Sequence, residues 1–371
     1  MYLSRECNII EEKQSPIGVK KLSWEIKEHT KAKHKILKNY LGAWFPIMAF
    51  TNPKIIYIDG FAGPGRYKNG EDGSPIYALK IAKEIYEAHL NRLENKEFVF
   101  FFIEANKSNY KSLQHEISQL SLPKNFKIIT KNEEFSETME KLFSFFDTTG
   151  KGLAPTFAFI DPFGTKYVPF EIVKKIMSYT KCEVFFNHMY SGVLRSKDVT
   201  DHTQLYGTDK WKYCLNKPEK LTELYAFQLQ DQAGVLYTRS FNVRNRKNAH
   251  IFDLIYATNN TLGLEKMKEA MWKADPLGNF QFRDITIPGQ IVLFELEPDL
   301  SLLKKFLLNE FKGKQVSISE IENFVLLKTP YLKGHIKNKT LVPMLKDDLI
   351  SVLRPTGSKS GFKEGTLITF H

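Results

Sequence analysis

Ile55-Ile56-Tyr57-Ile58-Asp59-Gly60-Phe61-Ala62-Gly63-Pro64-Gly65-Arg66 decides the fold. Four apolar residues in a row are too few for a helix and suit a strand buried on both faces. The run ends on an acid and breaks at once into a glycine-rich turn, the position at which an α/β sheet meets a ligand. The cadence returns downstream. Residues 98–103 are a second apolar strand, ending Glu104-Ala105-Asn106. Residues 127–129 are a third, followed by Asn132-Glu133. Residues 156–160 are a fourth, ending Asp161-Pro162-Phe163-Gly164, and 183–187 are a fifth. Between them, 75–93, 106–120, 135–146 and 171–179 carry apolar residues at helical spacing. Near-continuous apolar strands alternating with helices predict a doubly wound, mostly parallel α/β sheet of Rossmann-like type, covered on both faces.

Two ligands compete for the first turn. A dinucleotide site wants a third glycine, and position 68 is Lys68. An S-adenosylmethionine site wants an acid at the strand tip and then small residues, because the backbone passes close beneath the methionine moiety. Asp59, Phe61, Gly63 and Gly65 fit that pattern. Glu104, at the second strand end, is placed to accept from ribose hydroxyls. Asn132 and Glu133 follow the third strand, where an adenine-facing loop is expected. The fourth strand end is the most specific signal. Asp161 and Pro162 point a carboxylate and backbone carbonyls into the cleft, the acceptors an exocyclic amine needs, and Phe163 and Gly164 complete a turn in which an aromatic ring can stack on a flipped base.

The flanking segments carry charge. Residues 1–50 read as an arm and a basic helix, with Ile36, Leu37, Tyr40, Leu41 and Trp44 on one face and Lys27, Lys31, Lys33, Lys35 and Lys38 on the other. Residues 51–298 form the sheet domain. The stretch 192–248 breaks its rhythm and reads as an insertion over the cleft mouth, with a basic run at Arg239, Arg244, Arg246 and Lys247. The sheet resumes at 250–257, and 290–294 is expected as the last strand. From 299 to 371 two amphipathic helices, a third opened by Thr329-Pro330 and kinked at Pro343, and a hairpin with a Gly/Ser/Lys-rich tip predict a winged helix. Lys333, Lys337, Lys339 and Lys359 crowd its groove-facing helix and wing. Lys31, Lys35, Arg244 and Arg246 are the other candidate phosphate contacts.

Composition bounds the chemistry. The 371 residues carry 53 Lys+Arg against 42 Asp+Glu, a net charge of +11, which suits a polyanionic partner. With 42% hydrophobic and 26% charged residues the chain is an ordinary globular one. No apolar run is long enough to span a bilayer, and Met1-Tyr2-Leu3-Ser4-Arg5-Glu6-Cys7 does not open like a secretory signal, so no membrane role is expected. Cys7, Cys182 and Cys214 are odd in number and form no C-x-x-C pair. Neither a disulfide framework nor a metal site is expected, and a reducing cytoplasm is the natural compartment.

The acid-ended strands and Asp161-Pro162-Phe163 resemble the class I S-adenosylmethionine-dependent methyltransferases. They are similar to the Asp-Pro-Pro-aromatic amino-methyltransferases that act on adenine N6 in DNA and ribosomal RNA, although here the aromatic stands directly after Pro162. Nearly end to end, the chain resembles the three-Cys-motif partner protein family. The matching features are Trp24 with Lys35-Ile36-Leu37 and Tyr40-Leu41, the Asp59–Gly65 turn, Ile160-Asp161-Pro162-Phe163-Gly164, Met267-Lys268 with Met271-Trp272 and Asp275-Pro276, and the winged-helix tail. That resemblance implies a methyltransferase-like core with S-adenosylmethionine as cofactor and a three-Cys-motif protein as partner. The expected activity is methyl transfer to an amino group of DNA or RNA, leaning to adenine N6. The alternative is an inactive methyltransferase-fold platform that binds nucleic acid or the partner.

Overall fold

The computed structural model describes residues 28–162, 168–217, 219–245, 248–275, 281–283, 299–356 and 360–371. Five strands follow the predicted order: β1 (Lys54–Asp59), β2 (Glu97–Ile103), β3 (Phe126–Lys131), β4 (Thr156–Ile160) and β5 (Cys182–His188). Three more join them: β6 (Tyr237–Arg244), β7 (His250–Thr258) and β8 (Gln281–Arg283). The sheet order is β3-β2-β1-β4-β5-β7-β6-β8. β1 to β5 are parallel, and β7 runs antiparallel to both β5 and β6. The central crossover and the reversed β7 give the architecture of class I methyltransferases.

Strand residues alternate strictly between two apolar layers. Tyr57, Phe100, Phe102, Phe157, Phe159 and Phe185 face one side, while Ile58, Phe101, Ile103, Ala158, Ile160 and Phe186 face the other. This is why those strands read as unbroken apolar runs. The first layer is covered by α1 (Glu28–Thr51), α2 (Ser74–Ala88), α3 (Leu90–Leu93) and α4 (Lys107–Ser118). The second is covered by α5 (Phe135–Thr149), α6 (Phe170–Met177), α7 (Tyr190–Ser196), α8 (Thr203–Tyr206) and α9 (Glu219–Asp231). α10 (Thr261–Ala274) returns to the α1 side. No helix among the described residues is long and apolar enough to cross a membrane.

The stretch expected as an insertion is only partly one. Its last residues form β6, which pairs with β7 along its whole length. Tyr237-Thr238-Arg239-Ser240-Phe241-Asn242-Val243-Arg244 alternates polar and apolar residues, and its arginines disguise a half-buried strand as a basic run. The expected strand at 290–294 lies outside the described residues.

The C-terminal unit comprises α11 (Ser301–Phe311), β9 (Gln315–Ser317), α12 (Ile318–Lys328), α13 (Val342–Lys346), β10 (Ile350–Leu353) and β11 (Leu367–Phe370), with sheet order β10-β11-β9. Ser317 caps α12 and Glu320 returns the bond, as the sequence predicts. The third helix does not start at Thr329-Pro330. Thr329 instead ends α12 in an extended conformation. A 3₁₀ turn at Lys333–His335 and a π turn at Lys337–Leu341 precede α13, which carries Pro343 in its first turn. A proline has no N–H to give the preceding turn, so the regular helix restarts where that N–H is not needed.

This unit is bolted to the sheet domain through backbone carbonyls. The fully buried Lys268 of α10 donates to the carbonyls of Val325, Leu326 and Thr329, each at 3.0 Å. Trp272 Nε1 donates to Pro330 O at 2.8 Å, and Arg239 donates to Leu326 O and Leu327 O at 3.3 and 3.0 Å. These donors meet the negative end of α12. Leu303, Leu307, Ile321, Val325 and Ile368 extend the same apolar layer that α1 and α10 line.

Candidate active site

The carboxyl ends of β1, β2 and β4 bring Asp59, Glu104 and Asp161 to one pole of the sheet, all buried. Gly63 and Gly65 adopt φ of +64° and +83°, a conformation that side chains resist. They let the loop fold back over the strand tips. Glu104 ties that loop down: Gly63 N–H donates to Oε2 at 2.9 Å, and Asn106 N–H donates to Oε1 at 2.7 Å. Asn132 donates to the carbonyls of Glu104 and Ala105 at 2.8 and 2.9 Å, so it fixes the end of β2. Glu133 instead turns to Lys141 and Thr138, and the Lys141 hydrogen bond holds its carboxyl below the usual range. Phe61 packs against Phe135, with ring centroids 5.5 Å apart.

Asp59 is wholly enclosed. Burial pushes its carboxyl up to about 7, against the opposing pull of the Ser74 hydroxyl and the Phe61 N–H. Asp161 sits beside it with two partners that the sequence reading did not assign. Lys33 of α1 donates to Oδ2, and Asn187 at the end of β5 donates to Oδ1 at 2.6 Å. Lys33, expected on the basic outer face of the helix, is 3% exposed, with its ammonium 5.3 Å from the Phe252 ring centre. An α1 lysine forms this pair because α1 packs along the sheet face and its N-terminal part reaches the end of β4, 128 positions away in sequence. Asn187 has one sequence signal, its place at the carboxyl end of an apolar strand, and its Oδ1 is buried without a partner among the described residues. Phe163 and Gly164 lie outside the described residues.

On the opposite sheet face a polar network surrounds the next residue of β5. His188 contacts Thr222 Oγ1 at 2.9 Å and Tyr206 OH at 2.8 Å, and Thr222 donates to Asp253 at 2.7 Å. His250 and Asn242 also reach Asp253, at 3.0 and 2.7 Å. Burial pushes His188 down to about 4, so its imidazole is neutral. None of these groups was singled out from sequence, since each is scattered among separate elements.

The candidate phosphate contacts divide. Lys31 is exposed and lies 3.6 Å from Glu71, and Lys35 is exposed on the same helix. Lys333 and Lys337 pair with Glu265 and Glu322, each at 2.9 Å, while Lys339 is exposed. Arg244 is tied within the β6–β7 hairpin to Asn242 Oδ1 and Asn248 O. Arg239, from the same expected basic run, is spent on the joint with α12. Arg246 and Lys359 lie outside the described residues.

Residues 279–357 match the family model of the GMT-like winged helix-turn-helix domain. Among solved structures, the chain is similar to protein LPL1258 from Legionella pneumophila, at 12% identity and a TM-score of 0.40, covering 66% of this chain and 91% of that one. It is also similar to the N-terminal domain of human METTL16 in complex with SAH, at 12% identity and a TM-score of 0.31, covering 64% and 72%. The sequence matches no curated protein.

Proposed function

We propose that this chain is a methyltransferase that uses S-adenosylmethionine and acts on an exocyclic amino group of a nucleic acid, adenine N6 in DNA or RNA being the first candidate. The observation that carries the reading is the convergence of Asp59, Glu104 and Asp161 at one pole, under a loop shaped by Gly63 and Gly65. Three buried carboxyl groups against one buried ammonium, that of Lys33, suit a cationic ligand, whose charge would draw the proton from Asp59. When bound, that ligand supplies a methyl group on a positively charged sulfur. Asp59 accepts from its ammonium, and Glu104 keeps lone pairs for ribose hydroxyls beyond those given to Gly63 and Asn106. Asp161 likewise keeps a lone pair on each oxygen and accepts an N–H of the target amine, with Asn187 and Lys33 fixing its plane. Phe163 stacks on the base. Positioning of this kind needs little acid–base help.

The winged helix, with Lys333, Lys337, Lys339 and Lys359, follows the nucleic-acid backbone together with Lys31, Lys35, Arg244 and Arg246. A three-Cys-motif protein is the partner in this reading, and the units divide at about residues 50 and 298. A second reading, a binding platform without transfer, draws on the Lys33–Asp161 pair, which occupies the carboxylate the amine needs.

Mass spectrometry of nucleosides from DNA and RNA of cells expressing the wild type or Asp161→Ala tests the proposal. A methylated amino-nucleoside present only with the wild type is the expected outcome. Identical nucleoside pools, with S-adenosylmethionine binding intact by calorimetry, would favour the platform.

A further inference from the structure

α1 presents a second basic surface that the three acids do not use. Lys31, Lys35 and Lys38 recur at one-turn spacing, so their side chains line one face of the helix. They line a cavity of about 540 Å³ with His34, Glu71 and Tyr77. That volume falls within the range of small-molecule sites. Lys31 lies 3.6 Å from Glu71, but Lys35 and Lys38 have no carboxylate partner among the described residues. Lys38 instead rests 4.3 Å from the centre of the Tyr77 ring. Like charges one turn apart repel, and among the described residues no carboxylate relieves Lys35 or Lys38.

His34 lies among the lysines and is 4% exposed. Its ring packs against Tyr67 and Tyr77, at centroid distances of 5.9 and 5.5 Å. Burial, then the charges of Lys33 and Lys38, push its imidazole down to about 3. It is therefore neutral and carries one N–H, and its Nδ1 is buried without a partner among the described residues. An unpaired buried polar atom of this kind calls for a ligand or a water.

We propose that this cavity is a phosphate site, distinct from the acid pole, in which Lys35 and Lys38 neutralise a phosphoryl group and His34 hydrogen-bonds to it. Lysine ammoniums serve phosphate as point charges, and the neutral imidazole adds direction. The phosphate belongs either to a nucleic-acid backbone or to a free mononucleotide. The first source deepens the nucleic-acid reading above and rests on it. His34 of the cavity packs on Tyr67, whose phenol is pushed up by burial and by the charges of Asp161 and Asp59, so the cavity adjoins the site of the target amine. A backbone phosphate held here would belong to a nucleotide flanking the target base.

The test compares the full chain with the double variant Lys35→Gln/Lys38→Gln, whose positions are exposed and outside the core. The probes are inorganic phosphate, adenosine 5′-monophosphate and a short single-stranded oligonucleotide, with S-adenosylmethionine as a control. The expected result is that phosphate and the mononucleotide bind the wild type and bind the variant about tenfold or more weakly. The slope of log affinity against log salt for the oligonucleotide becomes shallower by about 1.4, from ~0.7 per single-strand contact. S-adenosylmethionine affinity stays the same. Phosphate bound equally by both proteins, or by neither, overturns the site. Mononucleotide binding lost in the variant, with no oligonucleotide binding by the wild type, upholds the site and overturns the nucleic-acid reading. Oligonucleotide binding with an unchanged slope overturns the site and leaves that reading standing.

Discussion

Two buried carboxylates hang from neighbouring strands, and one helix reaches both. Asp161, at the carboxyl end of β4, takes the ammonium of Lys33 and the amide of Asn187. Glu183, at the opposite pole near the start of β5, takes hydroxyls. Tyr40 donates to Oε2 at 2.5 Å and Thr258 donates to Oε1 at 2.9 Å, while Tyr256 OH lies 2.7 Å from Tyr40 OH. Lys33 and Tyr40 are seven positions apart on α1, about 10 Å along its axis. The difference lies in the partners. Neutral hydroxyls around Glu183 leave burial to dominate, and its carboxyl is held above the usual range. Gly263 packs so tightly against it that a Cβ there would fall 2.4 Å from Oε1. That end is a sealed clasp. At the other end the acids gather without enough cation to match them, and the helix supplies a single ammonium.

The largest test of this contrast is Asp161→Ala in a purified transfer assay. Transfer should fall about 10²-fold or more while S-adenosylmethionine affinity in calorimetry stays within a few fold. Joint loss of both would reassign Asp161 to the cofactor. Glu183→Ala should do the reverse. It leaves the hydroxyls of Tyr40 and Thr258 without their acceptor and should destabilise the fold by about 3 kcal/mol in chemical denaturation, with transfer per folded molecule unchanged. A Glu183 variant that unfolds normally but cannot transfer would erase the distinction between the poles.

A titration sharpens the contrast further. Asp59 in the free protein keeps its proton up to about pH 7, far above an ordinary aspartate. That raised value favours the folded state at low pH, and the contribution is lost as pH rises toward 7. A ligand ammonium needs the ionised form, so binding releases a proton. S-adenosylmethionine affinity should rise about tenfold per pH unit between roughly pH 5 and 7 and level off above. Calorimetry in buffers of different ionisation enthalpy reads the proton directly, and a flat profile with no proton release would remove Asp59 from the cofactor site. The smallest effect belongs to Tyr40→Phe, which should cost about 1 kcal/mol in the same denaturation experiment. No measurable cost would mean that the clasp holds by packing alone.

The parallel half of the sheet is legible because burial on both faces writes β1 to β5 as plain apolar runs, and their carboxyl ends name Asp59, Glu104 and Asp161 without any structure. β6 is hidden for the opposite reason: Arg239 and Arg244 sit on a strand whose pattern alternates. Lys33 and Asn187 are invisible as a pair because their meeting on Asp161 depends on the pairing of β5 with β4 and on the path of α1 along the sheet face, and no local spacing encodes either. The broken third helix of the winged unit follows from Pro343, which the sequence shows, but the place of the break is set by Thr329 ending α12 and by the joint beneath it.

That joint has an evolutionary corollary. Lys268, Trp272 and Arg239 grip only main-chain oxygens of 325–330, an acceptor that every amino acid carries. One side of the contact is therefore blind to sequence. Substitutions along 325–330 that preserve the backbone path and the buried apolar positions can accumulate without loosening the hinge, while the three donors have no equivalent freedom. In a saturation library, mutational tolerance across this seam should be lopsided, and the winged unit can be retuned toward new targets while its mounting angle is inherited unchanged.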